Sequence, residues 1–187
     1  MTSRMARGTA LALMTAAAGC ASEAPLHSTL DDQGLTWVTA DLMVTLARPA
    51  PRFSTAARDY VYLAPVETNN MGTRSHYLWL GLGTTIDRAW RFVAPSTAVT
   101  LVLIMDGQPL ALPLSSWDAR SAAPPYDTPA PVYQVRRARI TLDQLERFAN
   151  AESIGVELLA DDGTALSYEL WDGAWSDWQA FVTGVEP

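Results

Sequence analysis

Few side chains in this 187-residue chain are equipped for chemistry. Histidine occurs only as His27 and His76, and cysteine only as Cys20. Ser75 and His76 come nearest to a nucleophile and base. As neighbours on an extended segment they point to opposite faces, so neither can relay a proton to the other. No G-x-S-x-G elbow is present. Two distant histidines do not make a metal ligand set. Asp31-Asp32 and Asp161-Asp162-Gly163 lack the oxygen ligands at alternate positions that a calcium loop needs, and read as a solvated linker and a turn. Glu157 and Glu169 would lie across one hairpin, where a solvated face explains them better than general acid–base work. Arg136, Arg137 and Arg139 form the one basic cluster, suited to an anionic partner or a lipid phosphate. In so acidic a chain, pairing with its own carboxylates is the favoured reading. These residues point to a protein that is not an enzyme and uses no metal or cofactor. An enzyme of unrecognised type would need a pocket where an acid converges with His76 or an arginine.

Aromatic residues offer more. Asp59 to Pro65 and Ser75 to Thr84 both alternate as strands. Paired as a hairpin, they would place Tyr60, Tyr62, Tyr77 and Trp79 on one face beside Gly81 and Gly83. Such a platform could stack on a sugar ring. Of the seven tryptophans, Trp37, Trp79, Trp90, Trp117, Trp171, Trp175 and Trp178, most are expected in the core. Trp90 and Trp117 fall in loops, where an exposed indole marks an interface. Tyr60, Tyr62, Tyr77, Trp79 and Trp117 are therefore the candidate contacts for a ligand or partner.

The amino terminus carries the clearest signal. Arg4 and Arg7 precede an uncharged stretch, Thr9-Ala10-Leu11-Ala12-Leu13-Met14, and then Ala17-Ala18-Gly19-Cys20. The apolar stretch is too short to span a bilayer. Small residues directly before a lone cysteine resemble the lipobox of bacterial lipoproteins. That resemblance implies cleavage between Gly19 and Cys20, lipidation of the Cys20 thiol and acylation of its freed amine. Ala21 and Ser22 follow, without the Asp that marks retention in the inner membrane. The resemblance thus implies the inner leaflet of the outer membrane, facing the periplasm. Ala16-Ala17-Ala18 would also suit ordinary signal cleavage.

Composition sets the remaining bounds. Loss of Arg4 and Arg7 with a leader at 1–19 takes the net charge from −7 to −9, which disfavours nucleic acid as a partner. Every basic residue is arginine. No later apolar run approaches about 20 residues, so lipid is the expected membrane attachment.

The elements that must position these residues read as mainly β. Residues 20–34 form the lipidated cysteine and a flexible tether able to reach about 46 Å, and 35–187 form one domain. Leu35 to Leu46 alternates as one long strand, followed by Asp59–Pro65 and Ser75–Thr84, with a loop at Glu67–Arg74. Ala98–Met105 suits a strand buried on both faces, and Asp106-Gly107 turns into a strand whose Pro109 and Pro113 suggest a sheet edge. Val132–Arg139, Ile154–Ala160 and Ala165–Trp171 complete the strands. Thr141 with Gln144 predicts a capped helix with an Ile140–Leu145 staple, and the spacing of Trp175, Trp178, Phe181 and Val182 predicts another. Together they predict an antiparallel β-sandwich or partly open barrel of about eight strands with two short helices. The function expected is a lipid-anchored envelope protein whose non-catalytic domain binds or scaffolds a periplasmic partner, with a carbohydrate- or peptidoglycan-binding module as the alternative.

Overall fold

The computed structural model describes residues 26–30, 34–50, 54–85, 98–117, 128–173 and 175–185. The leader, Gly19, Cys20 and Trp90 lie outside the described residues. Strands β1 (His27–Leu30), β2 (Leu35–Thr39), β3 (Val44–Pro49), β4 (Arg58–Asn70) and β5 (Thr73–Thr84) come first. They are followed by β6 (Ala98–Met105), β7 (Gln108–Ser116), β8 (Val132–Ile140), helix α1 (Leu142–Ala149), β9 (Ile154–Ala160), β10 (Ala165–Asp172) and helix α2 (Trp175–Gly184).

Eight of these strands close into an antiparallel barrel in the order β3-β4-β5-β8-β7-β6-β9-β10, with β10 pairing back onto β3. The mainly β reading with about eight strands and two helices holds. The sheet is a closed barrel, in which each strand's outer edge is taken up by a neighbour and side chains can fill the interior. Strands β6, β7 and β8 followed by β9 beside β6 form a Greek key, with α1 in the long connection.

Strand β4 organises the wall. Its first half pairs with β3 and its second half with β2, while β5 runs along its whole other edge. Pro65 stands at the hand-over between β3 and β2, where its missing N–H costs no ladder bond. The long strand expected over Leu35–Leu46 is consequently two. Five residue steps from Thr39 to Val44 face three from Val66 to Leu63, so the chain loops out at Asp41-Leu42. The expected loop at Glu67–Arg74 shrinks to a Met71-Gly72 turn, both with positive φ, braced by Gly72 N–H donating to Asn69 Oδ1. Part of the expected tether is also strand, since β1 pairs with β2.

The edge position expected for the Gln108–Ser116 strand is corrected. β7 pairs with β6 along Gln108–Pro113 and with β8 along Leu114–Ser116. Pro109 and Pro113 sit in the part that β8 does not reach, which is why the barrel tolerates them. The strand at 98–105 is mostly buried, but Val99 is exposed on the outer wall.

Inside the barrel lie Leu46, Val61, Leu63, Leu78, Leu80, Leu82, Leu101, Leu103, Leu112, Val156 and Leu158, all in one core. The leucine row of β5 is therefore the inward face. One end is sealed by the helices: Leu145 and Phe148 of α1 and Trp178 and Phe181 of α2 join the same core, with Phe148 and Trp178 rings 4.7 Å apart. The capping box is present as expected. Gln144 N–H donates to Thr141 Oγ1 at 3.3 Å, and Thr141 N–H to Gln144 Oε1 at 3.0 Å. Among the described residues, no helix is long and apolar enough to cross a membrane.

Candidate functional site

Strand register puts the four candidate rings of β4 and β5 on one face, the outer wall: Tyr60 lies across from Gly83, Tyr62 from Gly81, Ala64 from Trp79 and Val66 from Tyr77. That face is largely covered. Tyr62 is 0% exposed, Trp79 3% and Tyr60 7%. Trp117 and Trp37, their rings 5.5 Å apart, and Ala130 pack with them in a second apolar cluster. The glycines leave room for the rings themselves. A Cβ at Gly81 would stand 2.5 Å from the Trp79 ring, and one at Gly83 2.7 Å from Tyr62. Tyr62 Oη donates to Ala130 C=O at 3.2 Å and accepts from Ala130 N–H at 3.0 Å, tying residues 128–131 to the wall. Burial pushes its phenol up to about 12, against the opposing effect of the Ala130 bond. Tyr77 is half-buried beneath the Arg137 guanidinium, 5.3 Å from its ring centroid.

What stays open on this wall was missed by the sequence reading. Trp171, one of seven tryptophans of which most are expected in the core, is 57% exposed. Its ring meets Tyr60 edge-on at 6.3 Å, and the Arg58 guanidinium lies 6.0 Å from it. Tyr60 in turn stacks on Tyr62 at 5.8 Å. Trp171 stands two residues beyond Glu169, which pairs with Ala47 of the outer wall, so alternation along β10 places the indole on the outward face. Alternation does not say whether that face is covered, so the exposure was not readable beforehand.

At the helix-sealed end, an acid, a histidine and an arginine do converge. Buried Glu67 lies across from His76, Oε2 to Nε2 at 3.2 Å, with Arg74 Nη1 at 3.9 Å. Arg74 also donates to the Val185 carbonyl just past α2, at 3.2 Å. A cation on that carbonyl complements the helix dipole. The trio thus fastens α2 over the barrel. Ser75 stands on the opposite face of β5 from His76, as alternation requires. Glu157 accepts from Ser167 on an exposed hairpin, and Asp162 accepts from Thr164 N–H in the turn. Among the described residues no group of His, Cys, Asp and Glu could hold a metal ion.

The other end of the barrel is polar, and the sequence did not single it out. Arg48 on β3 pairs with Asp59 on β4, and its guanidinium lies 5.6 Å from the Tyr168 ring centroid. Burial pushes the Tyr168 phenol up to about 12, against the pull of Arg48, and raises Tyr133 as well. Both phenols are neutral at ordinary pH, available as hydrogen-bonding groups but not as bases. Tyr133 sits where β8 bulges between its pairings with Leu82 and Gly83. Gln134 and Arg136 follow on β8 across from Leu82 and Leu80, hence on the inward face.

The arginine cluster is thereby split. Arg136 points into the barrel, while Arg137 and Arg139 belong to the outer wall, where Arg137 Nε–H donates to Ser115 Oγ at 3.3 Å. Among the described residues no ion pair joins any of the three to a carboxylate. Alternation places such neighbours on opposite faces, and the two strands paired with β8, β5 and β7, carry no Asp or Glu. No protein-family model, no curated protein and no solved structure matches this chain.

Proposed function

We propose that this chain is a lipid-anchored cell-envelope protein, held through Cys20 in the inner leaflet of the outer membrane, whose barrel is a non-catalytic domain that binds a periplasmic protein partner. The observation that carries the binding part is the Trp171 corner. A large indole more than half exposed, flanked by Tyr60 and Arg58, has the composition of an interface centre, where Trp, Tyr and Arg contribute most of the binding energy. The anchoring part is supported by Ala17-Ala18-Gly19-Cys20 and by acyl chemistry: one chain holds a protein marginally, two or three almost permanently. The glycan-binding alternative has less to stand on, because buried Tyr62 and Trp79 cannot stack on a sugar.

The test is an intact mass of the mature protein from membranes, wild type against Cys20→Ala, followed by site-specific photocrosslinking beside Trp171 in cells. A triacylated Cys20 in wild type, a precursor or soluble form in the variant, and one discrete adduct lost on Trp171→Ala are expected. An unlipidated chain cleaved elsewhere refutes the anchor. Adducts indifferent to Trp171→Ala refute the interface.

A further inference from the structure

The inward face of β8 carries two polar side chains whose buried atoms have nothing to bond. Gln134 and Arg136 are two residues apart, so they point the same way and stand about 7 Å apart along the strand. Gln134 Oε1 and Arg136 Nε are buried and lack a hydrogen-bond partner. On the facing wall Arg48 Nε is in the same condition, although the Arg48 charge is met by Asp59. Tyr133 lies close enough to Arg48, Asp59 and Tyr168 for all three to act on its phenol, so these groups share one end of the barrel.

Charges and hydrogen bonds at this end can be added up. Arg48 and Asp59 cancel. Arg136 has no carboxylate partner among the described residues. Among those residues this end of the barrel thus carries one positive charge without an ion pair, two orphaned N–H donors and one orphaned acceptor. Buried polar groups are nearly always satisfied, and a half-satisfied set costs stability unless something else completes it. A guanidinium offers a planar fork matched to a carboxylate or phosphate. The phenols of Tyr133 and Tyr168 are neutral, so they do not repel an anion.

We propose that this end of the barrel binds a small ligand that carries one oxyanion, a carboxylate or phosphate, next to a hydroxyl. The oxyanion accepts from Arg136, and the hydroxyl donates to Gln134 Oε1. A single unmatched charge selects a monoanion. Leu80 and Leu82, across from Arg136 and Gln134 and buried in the core, fill the barrel beside them, so the ligand is small. The site is separate from the Trp171 corner and holds whether or not Cys20 carries lipid.

The experiment uses the full-length chain in detergent and follows its arginine Nε–Hε resonances by ¹H–¹⁵N correlation during titration with glycolate, acetate and inorganic phosphate. Glycolate and acetate differ by the hydroxyl alone, and phosphate separates the two oxyanion sources. The Arg136 resonance is expected to move saturably, with acetate about threefold or more weaker than glycolate because it cannot satisfy Gln134. In Arg136→Met, followed through the Arg48 Nε–Hε resonance at the same end of the barrel, binding should weaken about tenfold or more. The substitution should leave the thermal midpoint without anion unchanged or higher, since it removes a half-buried guanidinium whose buried Nε has no hydrogen-bond partner. Gln134→Leu, which keeps the arginine, should abolish the preference for glycolate over acetate. The proposal is overturned if no anion moves Arg136 saturably below about 50 mM. It is equally overturned if Arg136→Met lowers the midpoint, which would make the arginine a structural residue, or if Gln134→Leu retains the glycolate preference.

Discussion

Replacing Tyr62 by Phe removes one oxygen atom and nothing else, yet that oxygen bonds Ala130 in both directions. In Tyr62→Phe the ring keeps its place over Gly83 and its stack on Tyr60. What is lost is a donor to a buried carbonyl and an acceptor for a buried N–H. Each hydrogen bond contributes about 1 kcal/mol net, and each backbone group left dry costs about 1–3 kcal/mol. With Ala130 held in place, the variant should therefore lose about 3 kcal/mol. If residues 128–131 lift to reach water, the loss falls toward about 1 kcal/mol but Trp117 and Trp37 lose their cover. The two outcomes are separable: urea unfolding gives the free energy, and a red shift of native tryptophan emission with faster cleavage near residue 130 reports lifting. Alkaline difference spectroscopy adds a third reading, because the one phenol bonded to Ala130, pushed up to about 12, should vanish from the high-pH titration. A loss below about 0.5 kcal/mol with unchanged emission and proteolysis would refute the claim that this phenol pins the loop.

Two further predictions follow from the polar end. Asp59→Ala strands Arg48 half-buried over Tyr168 and should cost about 2–3 kcal/mol in urea unfolding, whereas Arg48→Met combined with Asp59→Leu should fall within about 1 kcal/mol of wild type; equal losses in the single and double variants would sink the argument. Stability should also fall in alkali. The Tyr168 phenol has a folded pKa of about 12 against 10.0 ordinarily, so its contribution is complete below pH 10 and disappears as pH rises to about 12. The Tyr168 share of that loss is about 3 kcal/mol, read as the amount by which wild type loses more than Tyr168→Phe, since Tyr62 and Tyr133, also raised by burial, act in both.

Much of the β architecture was legible because burial on one face of a strand writes a two-residue alternation into the chain. Leu78, Leu80 and Leu82 declared the inward face of β5, and Tyr60, Tyr62, Tyr77 and Trp79 the outer one. Local chemistry was legible too: the Thr141–Gln144 box and the Asp106-Gly107 turn depend on residues within hydrogen-bonding reach along the chain. Which strands meet is a different question, settled by pairings between residues far apart. Only the fold decided that β10 returns to β3, that β4 serves two partners on one edge, and that Pro65 sits between them. The same holds for exposure. Alternation assigns a face but not what lies over it, so Tyr60, Tyr62 and Trp79 are buried in one apolar cluster with Ala130, while Trp171 on the same outer wall stays exposed. Arg48, Asp59, Tyr133, Gln134, Arg136 and Tyr168 come from ordinary-looking positions on four strands and form a polar barrel end only once the wall closes, because a site made by closure has no spacing along the chain to betray it.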